Sequence, residues 1–558
     1  GLIVLIYAVS YFFNRQIARR VRVGYAVLLL SLISGFYLQF FNLTWQGWHF
    51  PAMFLYRYSF LWSFVMMQLA AYELEVMVSR LEAKIGIILG SVMLVATVGS
   101  FNHYHFISIW NLVATLLFLI VEVLLIFSGL NKKVAIGSLV LVSILELTIN
   151  AGLMFKGVAT EWHYPSASLF NEPAKAIKEV LPKIRNDRLR RVENLDSISR
   201  DDGLRFNYGS ANFFSSVTNR PFEQSLNQLG FRSTGSNLNM TYGNNTLVMD
   251  SILGTQTNLA LQPVDKYGFQ MATRSGKFYV SNNQNALKNG IVVEQKLAEN
   301  EKLSKTDNLG NQNQLLSLVA HTSVTKRLFK SFPVQLTGST GQTAEAGLKF
   351  KNLENGNQSL KLSVTVPKNQ QAYLSLFKMQ GSISQISVYK GKQLIENYNP
   401  NLVGQYINLG SFKQRTNLNI SIRLSGTGTA QFARPTLITL NEKIFQRQIE
   451  LARKYQATNL KYGKRTIKGN ITTNNDKKAL LLTIPADPGW KAKINGKQVA
   501  VKTVDNLFTL VPLNSGKNQL TMKYVPTGLV LGAWLTILGL SSFIFVQIWR
   551  RYDNEDLG

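Results

Sequence analysis

The sequence contains no cysteine. That excludes a disulfide framework, a thiolate nucleophile and every Cys-based zinc site. Acidic residues are scarce too: 31 Asp and Glu stand against 60 Lys and Arg, a formal net charge of +29. Such an excess points to an anionic partner: nucleic acid, anionic lipid or an anionic polymer. Several chemical signatures are missing as well. There is no HExxH, no GxSxG and no dinucleotide-binding fingerprint. Gly463-Lys464-Arg465-Thr466 is not a phosphate-binding loop, because the Gly-rich arm that should precede it is absent. No metal-ligand set is legible and no cofactor is called for, although a divalent cation remains compatible with the chemistry considered below. Gly1 opens inside an apolar run without a signal-peptide n-region, so a longer protein is expected, of which this is the carboxyl-terminal part.

What the chain has in quantity is long apolar runs, crowded into the first 155 positions and a stretch near the end. A span needs about 20 mostly apolar residues. One shortened run and six complete ones meet that length: 1–13, 23–41, 57–78, 85–101, 107–128, 134–155 and 526–548. Membrane spans make nucleic acid an improbable partner and the lipid bilayer an obligatory one. The intervening loops alternate in charge. Arg15, Arg19, Arg20 and Arg22, then Arg80 and Lys84, then Lys132 and Lys133, and finally Arg550 and Arg551 mark one side. The loops 42–54 and 102–106 carry no Lys or Arg. Cations concentrate on the cytoplasmic side, so the polar middle of the chain is expected outside the cell. Trp45, Trp48, Tyr56 and Tyr524 lie where an interfacial aromatic belt belongs.

The polar middle mixes patterns. Residues 156–335 carry both helix and strand signals, with Asn171 read as an N-cap before Pro173. In 336–442, Leu362, Val364 and Val366 alternate onto one face, and Leu374 and Leu376 oppose Tyr373 and Ser375, as in a β-sandwich. Residues 443–523 read as an amphipathic helix followed by a small β unit with an Asn495-Gly496 hairpin turn. The expected architecture is a polytopic α-helical membrane bundle over 1–155, extracytoplasmic α/β and β-sandwich subdomains, and a final span with a cytoplasmic tail over 524–558.

Particular motifs resemble a known family. Phe50-Pro51 with Tyr56-Arg57-Tyr58-Ser59-Phe60, then Glu146 to Asn150, Arg191-Val192-Glu193-Asn194, Asn212 to Ser216, Asp250 to Gly254, and Asp487-Pro488-Gly489-Trp490 before Asn495-Gly496 are similar in order and spacing to the YfhO family of bacterial membrane proteins. Thr255-Gln256 departs from the pattern. The resemblance implies a GT-C-like glycosyltransferase. Such an enzyme would take a sugar from a polyprenyl-phosphate carrier on the outer leaflet and pass it to an anionic cell-wall polymer such as lipoteichoic or wall teichoic acid. The catalytic carboxylate of such enzymes sits in the first outer loop, which is expected upstream of residue 1.

The residues themselves offer candidates, each with a plainer reading beside it. Arg57, flanked by Tyr56 and Tyr58, could grip a lipid-linked phosphate, or it snorkels to the headgroups. Asn102, His103 and His105 share a short outer loop; with no third ligand nearby, substrate contact is favoured over metal. Glu146 and Asn150 are one helical turn apart, share a face and are read as cavity wall. Lys454, Lys461, Lys464 and Arg465 form a cationic stretch suited to an anionic polymer, or a solvated face. Two other classes of function compete with the transferase. A transporter or flippase of lipid-linked precursors calls for paired ionisable groups and broken helices at mid-membrane, of which few are seen. A membrane-anchored carbohydrate-binding or structural protein would need only one span.

Overall fold

The computed structural model describes residues 1–48, 50, 54–76, 87–88, 91, 109–161, 166–184, 191–215, 219–234, 239–242, 245–324, 327–344, 347–351, 353–356, 358–376, 380–398 and 406–555. The chain divides into two compact units, Gly1–Ser166 and Ala167–Gly558.

The first unit is helical. Arg19–Tyr37, Ile109–Phe127 and Lys133–Glu161 are long and apolar enough to cross a membrane, as is Leu529–Trp549 in the second unit. Apolar side chains on all sides with little burial inside the protein suit a lipid-facing helix; Leu141, Leu147 and Met154 are all exposed. The expected run 23–41 breaks at Leu38, which is extended (φ −111°, ψ 120°), and the chain restarts as the short helix Gln39–Trp45. The run 57–78 forms the helix Ser59–Val76. The run 85–101 lies outside the described residues apart from 87, 88 and 91. The Lys132–Glu161 helix has 30 residues rather than the expected 22 of 134–155. At 1.5 Å per residue it is about 45 Å long, more than a hydrocarbon core of about 30 Å requires.

Side-chain contacts give the helices their directions. Asn14, just past the Leu2–Tyr11 helix, donates from Nδ2 to Glu73 near the end of Ser59–Val76 (2.9 Å), so the carboxyl ends of these two helices meet. Gly35, near the end of Arg19–Tyr37, lies against Tyr58 at the start of Ser59–Val76; a Cβ there would come within 2.4 Å of the Tyr58 hydroxyl. The second helix therefore runs opposite to the other two. This is the arrangement expected if the Arg15–Arg22 loop and the 42–54 loop lie at opposite ends.

The second unit is β-rich. The strand Arg191–Asn194 pairs in parallel with Thr255–Ala260, and Phe278–Asn283 and Phe269–Ser275 complete the sheet. The helix Ala167–Val180 covers it with Ile177 and Val180, which meet Val192, Leu259 and Val280. That helix starts at Ala167, so Asn171 is not its N-cap and Pro173 falls inside it. Phe170, packed at the edge of this core and capped by the Arg205 guanidinium at 4.1 Å, rewards the additional turn.

The sandwich is present. Its larger sheet is built around Thr416–Phe432, which pairs with Gln358–Val366 and Gln380–Lys390. The smaller sheet orders Tyr406–Phe412, Gln370–Ser375, Thr436–Asn441 and Phe329–Pro333. Leu362, Val364 and Val366 of the first meet Leu374 and Leu376 of the second in one core. Tyr373, one residue along, points the other way into the neighbouring core, where its hydroxyl accepts from the Leu247 N–H at 3.0 Å. The subdomains are interleaved rather than sequential. Gly290–Glu294, from the expected α/β segment, pairs with Lys478–Pro485 of the late β unit. Burying the sides of both strands took precedence over the sequential boundaries at 335 and 442.

Candidate functional site

A cavity of about 660 Å³ lies within the helical unit. Leu2 and Leu5 supply apolar wall. Asn111, Thr115 and Phe118 come from the Ile109–Phe127 helix, and Glu146, Asn150 and Glu161 from Lys132–Glu161. The Glu146 carboxylate accepts the Leu2 N–H (3.0 and 3.3 Å to its two oxygens). Thr115 turns its hydroxyl back to the Asn111 carbonyl at 2.8 Å. The wall is thus mostly hydrocarbon, with the carboxylates of Glu146 and Glu161 and the amides of Asn111 and Asn150 set in it, the composition of a site for an apolar ligand with a polar end. Its residues come from the first half of Ile109–Phe127 and the second half of Lys132–Glu161.

Among the described residues, the candidates Tyr56, Arg57 and Tyr58 do not line this cavity with Glu146 and Asn150. Tyr58 is buried, stacked on Phe36 (5.7 Å between centroids) and Trp45 (6.2 Å), so its ring is engaged in packing. Tyr56 is exposed and meets Phe36 edge-on. Arg57 is exposed and forms no ion pair among the described residues. Asn102, His103 and His105 lie outside the described residues. Asn111 and Thr115 were not singled out from sequence, although two polar residues four apart at the start of an apolar run repeat the Glu146–Asn150 spacing. Glu122 is fully buried, and neither carboxylate oxygen has a hydrogen-bond partner among the described residues.

The four candidate cations of the β-rich unit fall in three places. Lys454 lines a cleft of about 680 Å³ with Tyr455, Asn459, Asn470, Thr472 and Lys478. Tyr455 is held by stacking on His321 (3.7 Å between centroids), whose Nε2 bonds the Val292 carbonyl at 2.8 Å. Burial holds that imidazole below its ordinary pKa. Lys461 sits on the strand Leu460–Tyr462. Lys464 and Arg465 form the turn closed by the Gly463 N–H to Thr466 carbonyl bond. The Arg465 carbonyl accepts from Tyr524, the last residue of the strand that precedes the Leu529 helix.

The family model of the bacterial membrane protein YfhO matches residues 1–536. The chain belongs to the YfhO family. No curated protein matches it. Among solved structures, a family two carbohydrate esterase from Cellvibrio japonicus matches with 15% identity over 20% of this chain and 33% of the esterase, with a TM-score of 0.15. The carboxyl-terminal carbohydrate-binding module of a Zobellia galactanivorans laminarinase matches with 14% identity over 27% of this chain and 99% of the module, at a TM-score of 0.14. A Paenibacillus cycloisomaltooligosaccharide glucanotransferase matches with 8% identity over 38% of this chain and 50% of its own, at 0.16. Scores at this level do not establish a shared fold.

The YfhO-like motifs of the β-rich unit prove to be its joints. Arg191 donates one guanidinium nitrogen to the Leu253 carbonyl and the other to the Thr483 carbonyl, joining segments far apart in the chain. Glu193 is fully buried and accepts from the Ser210 hydroxyl (2.7 Å) and the Ala211 N–H. Burial outweighs these bonds and pushes its carboxyl up to about 7. Asp250 and Lys266 form an ion pair at 3.1 Å with both side chains fully buried, and Lys266 also donates to Asn258 at 3.3 Å. Burial again prevails, lifting Asp250 to about 6 against the pull of Lys266. Gly254 has φ +69°, and a Cβ there would meet the Leu287 carbonyl at 2.6 Å, so only glycine fits the close of this motif. In Asp487-Pro488-Gly489-Trp490, the Gly489 carbonyl accepts from Val525 at 3.0 Å and Trp490 packs on Tyr524, fastening the sheet to the strand end that enters the last helix. Among the described residues no group of three acidic or histidine side chains could hold a metal ion.

Proposed function

We propose that this chain is part of a membrane glycosyltransferase that takes a sugar from a polyprenyl-phosphate carrier and passes it to an anionic cell-wall polymer outside the cell. Membership of a bacterial membrane protein family and several apolar helices fit such a role. One observation carries the reading. The largely apolar cavity with Glu146, Asn150 and Asn111 in its wall lies in the halves of the helices that loop charge assigns to the outer leaflet. Isoprenoid chain would fill the hydrocarbon part. The amides would hydrogen-bond the phosphate or the first sugar hydroxyls. Glu146 would orient a hydroxyl rather than attack, the base being supplied by another carboxylate. Exposed Arg57 would meet a phosphate at the interface. The acceptor would be held by cations of the β-rich unit, Lys454, Lys461, Lys464 and Arg465.

The test is mass analysis of surface polymers from strains with and without the gene, together with transfer from a labelled polyprenyl-phosphate sugar by the purified chain. Glu146→Gln is expected to lower transfer about ten-fold, the effect of weakening one positioning hydrogen bond by about 1.4 kcal/mol. A deletion strain whose wall polymers keep all their sugars overturns the reading.

A further inference from the structure

The late β unit contains a sheet ordered Leu460–Tyr462, Thr466–Thr473, Gly516–Tyr524, Trp490–Ile494 and Lys497–Val499. One face is core: Ile467, Ile471, Ala492, Ile494, Leu520 and Met522 are buried together. The strand register puts every intervening residue on the other face. There Lys461 stands directly opposite Lys468, which stands opposite Thr521, which stands opposite Lys493, which stands opposite Gln498. One step along the same face, Thr466 faces Lys523, and Lys523 faces Lys491. In the other direction Asn470 faces Gln519, and Thr472 faces Lys517. All six lysines are exposed, and none is ion-paired among the described residues. No acidic residue occupies this face.

Two of these pairings, Lys461 with Lys468 and Lys491 with Lys523, are like charges in direct cross-strand contact. Such pairs destabilise a sheet, and a single acidic residue in any row would relieve them. The geometry points to a ligand that supplies the missing charge. We propose that this face binds a linear, hydroxylated polyanion of the phosphodiester class along the strands. Between the lysines lie only hydroxyls and amides, Thr466, Thr521, Gln498, Gln519 and Asn470, which hydrogen-bond polyol or sugar hydroxyls. No exposed apolar side chain interrupts the rows, so nothing there would enter a bilayer. From Thr466 to Thr472 the face is about 20 Å long at about 3.3 Å per residue, room for several charged units. It continues into the cleft of Lys454 and Tyr455, because Asn470 and Thr472 belong to both.

Calling that polyanion the transfer acceptor rests on the function proposed above; the binding itself does not. The full chain in phosphatidylcholine nanodiscs is titrated with a fluorescent synthetic oligo(glycerol phosphate), with neutral dextran as control. Vesicles containing phosphatidylglycerol are the second arm. Lys468→Gln with Lys493→Gln, and Lys491→Gln with Lys523→Gln, are the variants. A lysine near an anionic surface is worth about five-fold in affinity, so each pair is expected to weaken binding roughly 25-fold. Each pair also removes one like-charge contact, so the thermal midpoint is expected to stay or rise. Oligomer affinity within two-fold of wild type in both variants overturns the proposal. So does capture of anionic vesicles, lost in the variants, with no oligomer binding, since the face would then seat on a membrane. Oligomer binding that is lost in the variants, in a protein that transfers no sugar, upholds this site and removes the transferase reading instead.

Discussion

Glu193 offers a quantitative test of how the β-rich unit is held together. Its carboxyl is fully buried and raised from 4.5 to about 7. At 1.36 kcal/mol per unit, that shift is worth about 3 kcal/mol. The sign follows from proton linkage. Below pH 4.5 the carboxyl is protonated whether the strand is folded or not, and pH has no effect through this group. Between 4.5 and 7 the unfolded segment releases its proton while the folded one keeps it, so stability falls as pH rises. Above 7 the full cost is carried. Asp250, raised to about 6, adds a decline of the same direction over a lower window, between its ordinary 3.8 and 6. Glu193→Gln keeps an oxygen for the Ala211 N–H and an amide that donates to the Ser210 hydroxyl, but cannot ionise. Its expected signature is a gain of up to about 3 kcal/mol at pH 8, with only the Asp250 decline remaining below pH 6. Hydrogen exchange of the Arg191–Asn194 and Thr255–Ala260 strands, corrected for intrinsic rates, reads this locally. Wild-type protection that is equal at pH 5 and pH 8, or greater at pH 8, would refute the reasoning.

Other substitutions probe the joints. Lys266→Met leaves the Asp250 carboxylate buried without its cation and is expected to cost about 3–5 kcal/mol, read in chemical denaturation. Adding Asp250→Leu should recover much of that loss, and failure to do so would mean the pair is not an isolated unit. Gly489→Ala places a Cβ 2.6 Å from the Val525 carbonyl, and about 1–3 kcal/mol of overpacking is expected, visible as a lowered melting midpoint with altered Trp490 fluorescence. Asn14→Leu removes the hydrogen bond to buried Glu73 and should lower the yield of folded protein from membranes, while Asn14→Gln, which keeps the donor, should retain more of it.

Four of the expected spans were legible, as helices long and apolar enough to cross a membrane, because a span is a matter of length and apolar content. The helix contacts at Asn14 with Glu73 and Gly35 with Tyr58 agree with the Arg15–Arg22 loop and the 42–54 loop lying at opposite ends. The sandwich was legible because strict alternation at Leu362, Val364 and Val366 has no helical alternative. Less legible were features created by distant pairing. Nothing near Ile291 announces that it will lie beside Leu481. Nothing around Lys461 or Lys491 shows that each will face another lysine, since the two partners are set by register. Helix starts were misjudged where a tertiary contact outweighed a local cue, as when Phe170 drew the helix past Asn171.

The fate of the motifs bears on where chemistry can reside. Arg191, Glu193, Asp250, Gly254 and Gly489 are among the residues through which the β-rich unit resembles its family, and each is engaged in a buried bond or a close backbone approach. A group that is buried and bonded in this way cannot also meet a substrate without breaking the joint it forms. Such motifs preserve a shape. Among the described residues, two sets of groups stand apart from these joints: the carboxylates and amides of the helical cavity, and the unpaired lysines of one sheet face. The first suits a lipid-borne ligand and the second a polyanion. A chain carrying both surfaces, joined to its last span through Gly489 and Val525, has what a transfer between a membrane-held donor and a charged polymer would require. Separate loss of either surface should therefore produce different defects: Glu146→Gln slowing transfer at saturating acceptor, and the lysine pairs raising only the acceptor concentration needed. Identical kinetic defects from both would contradict this division of labour.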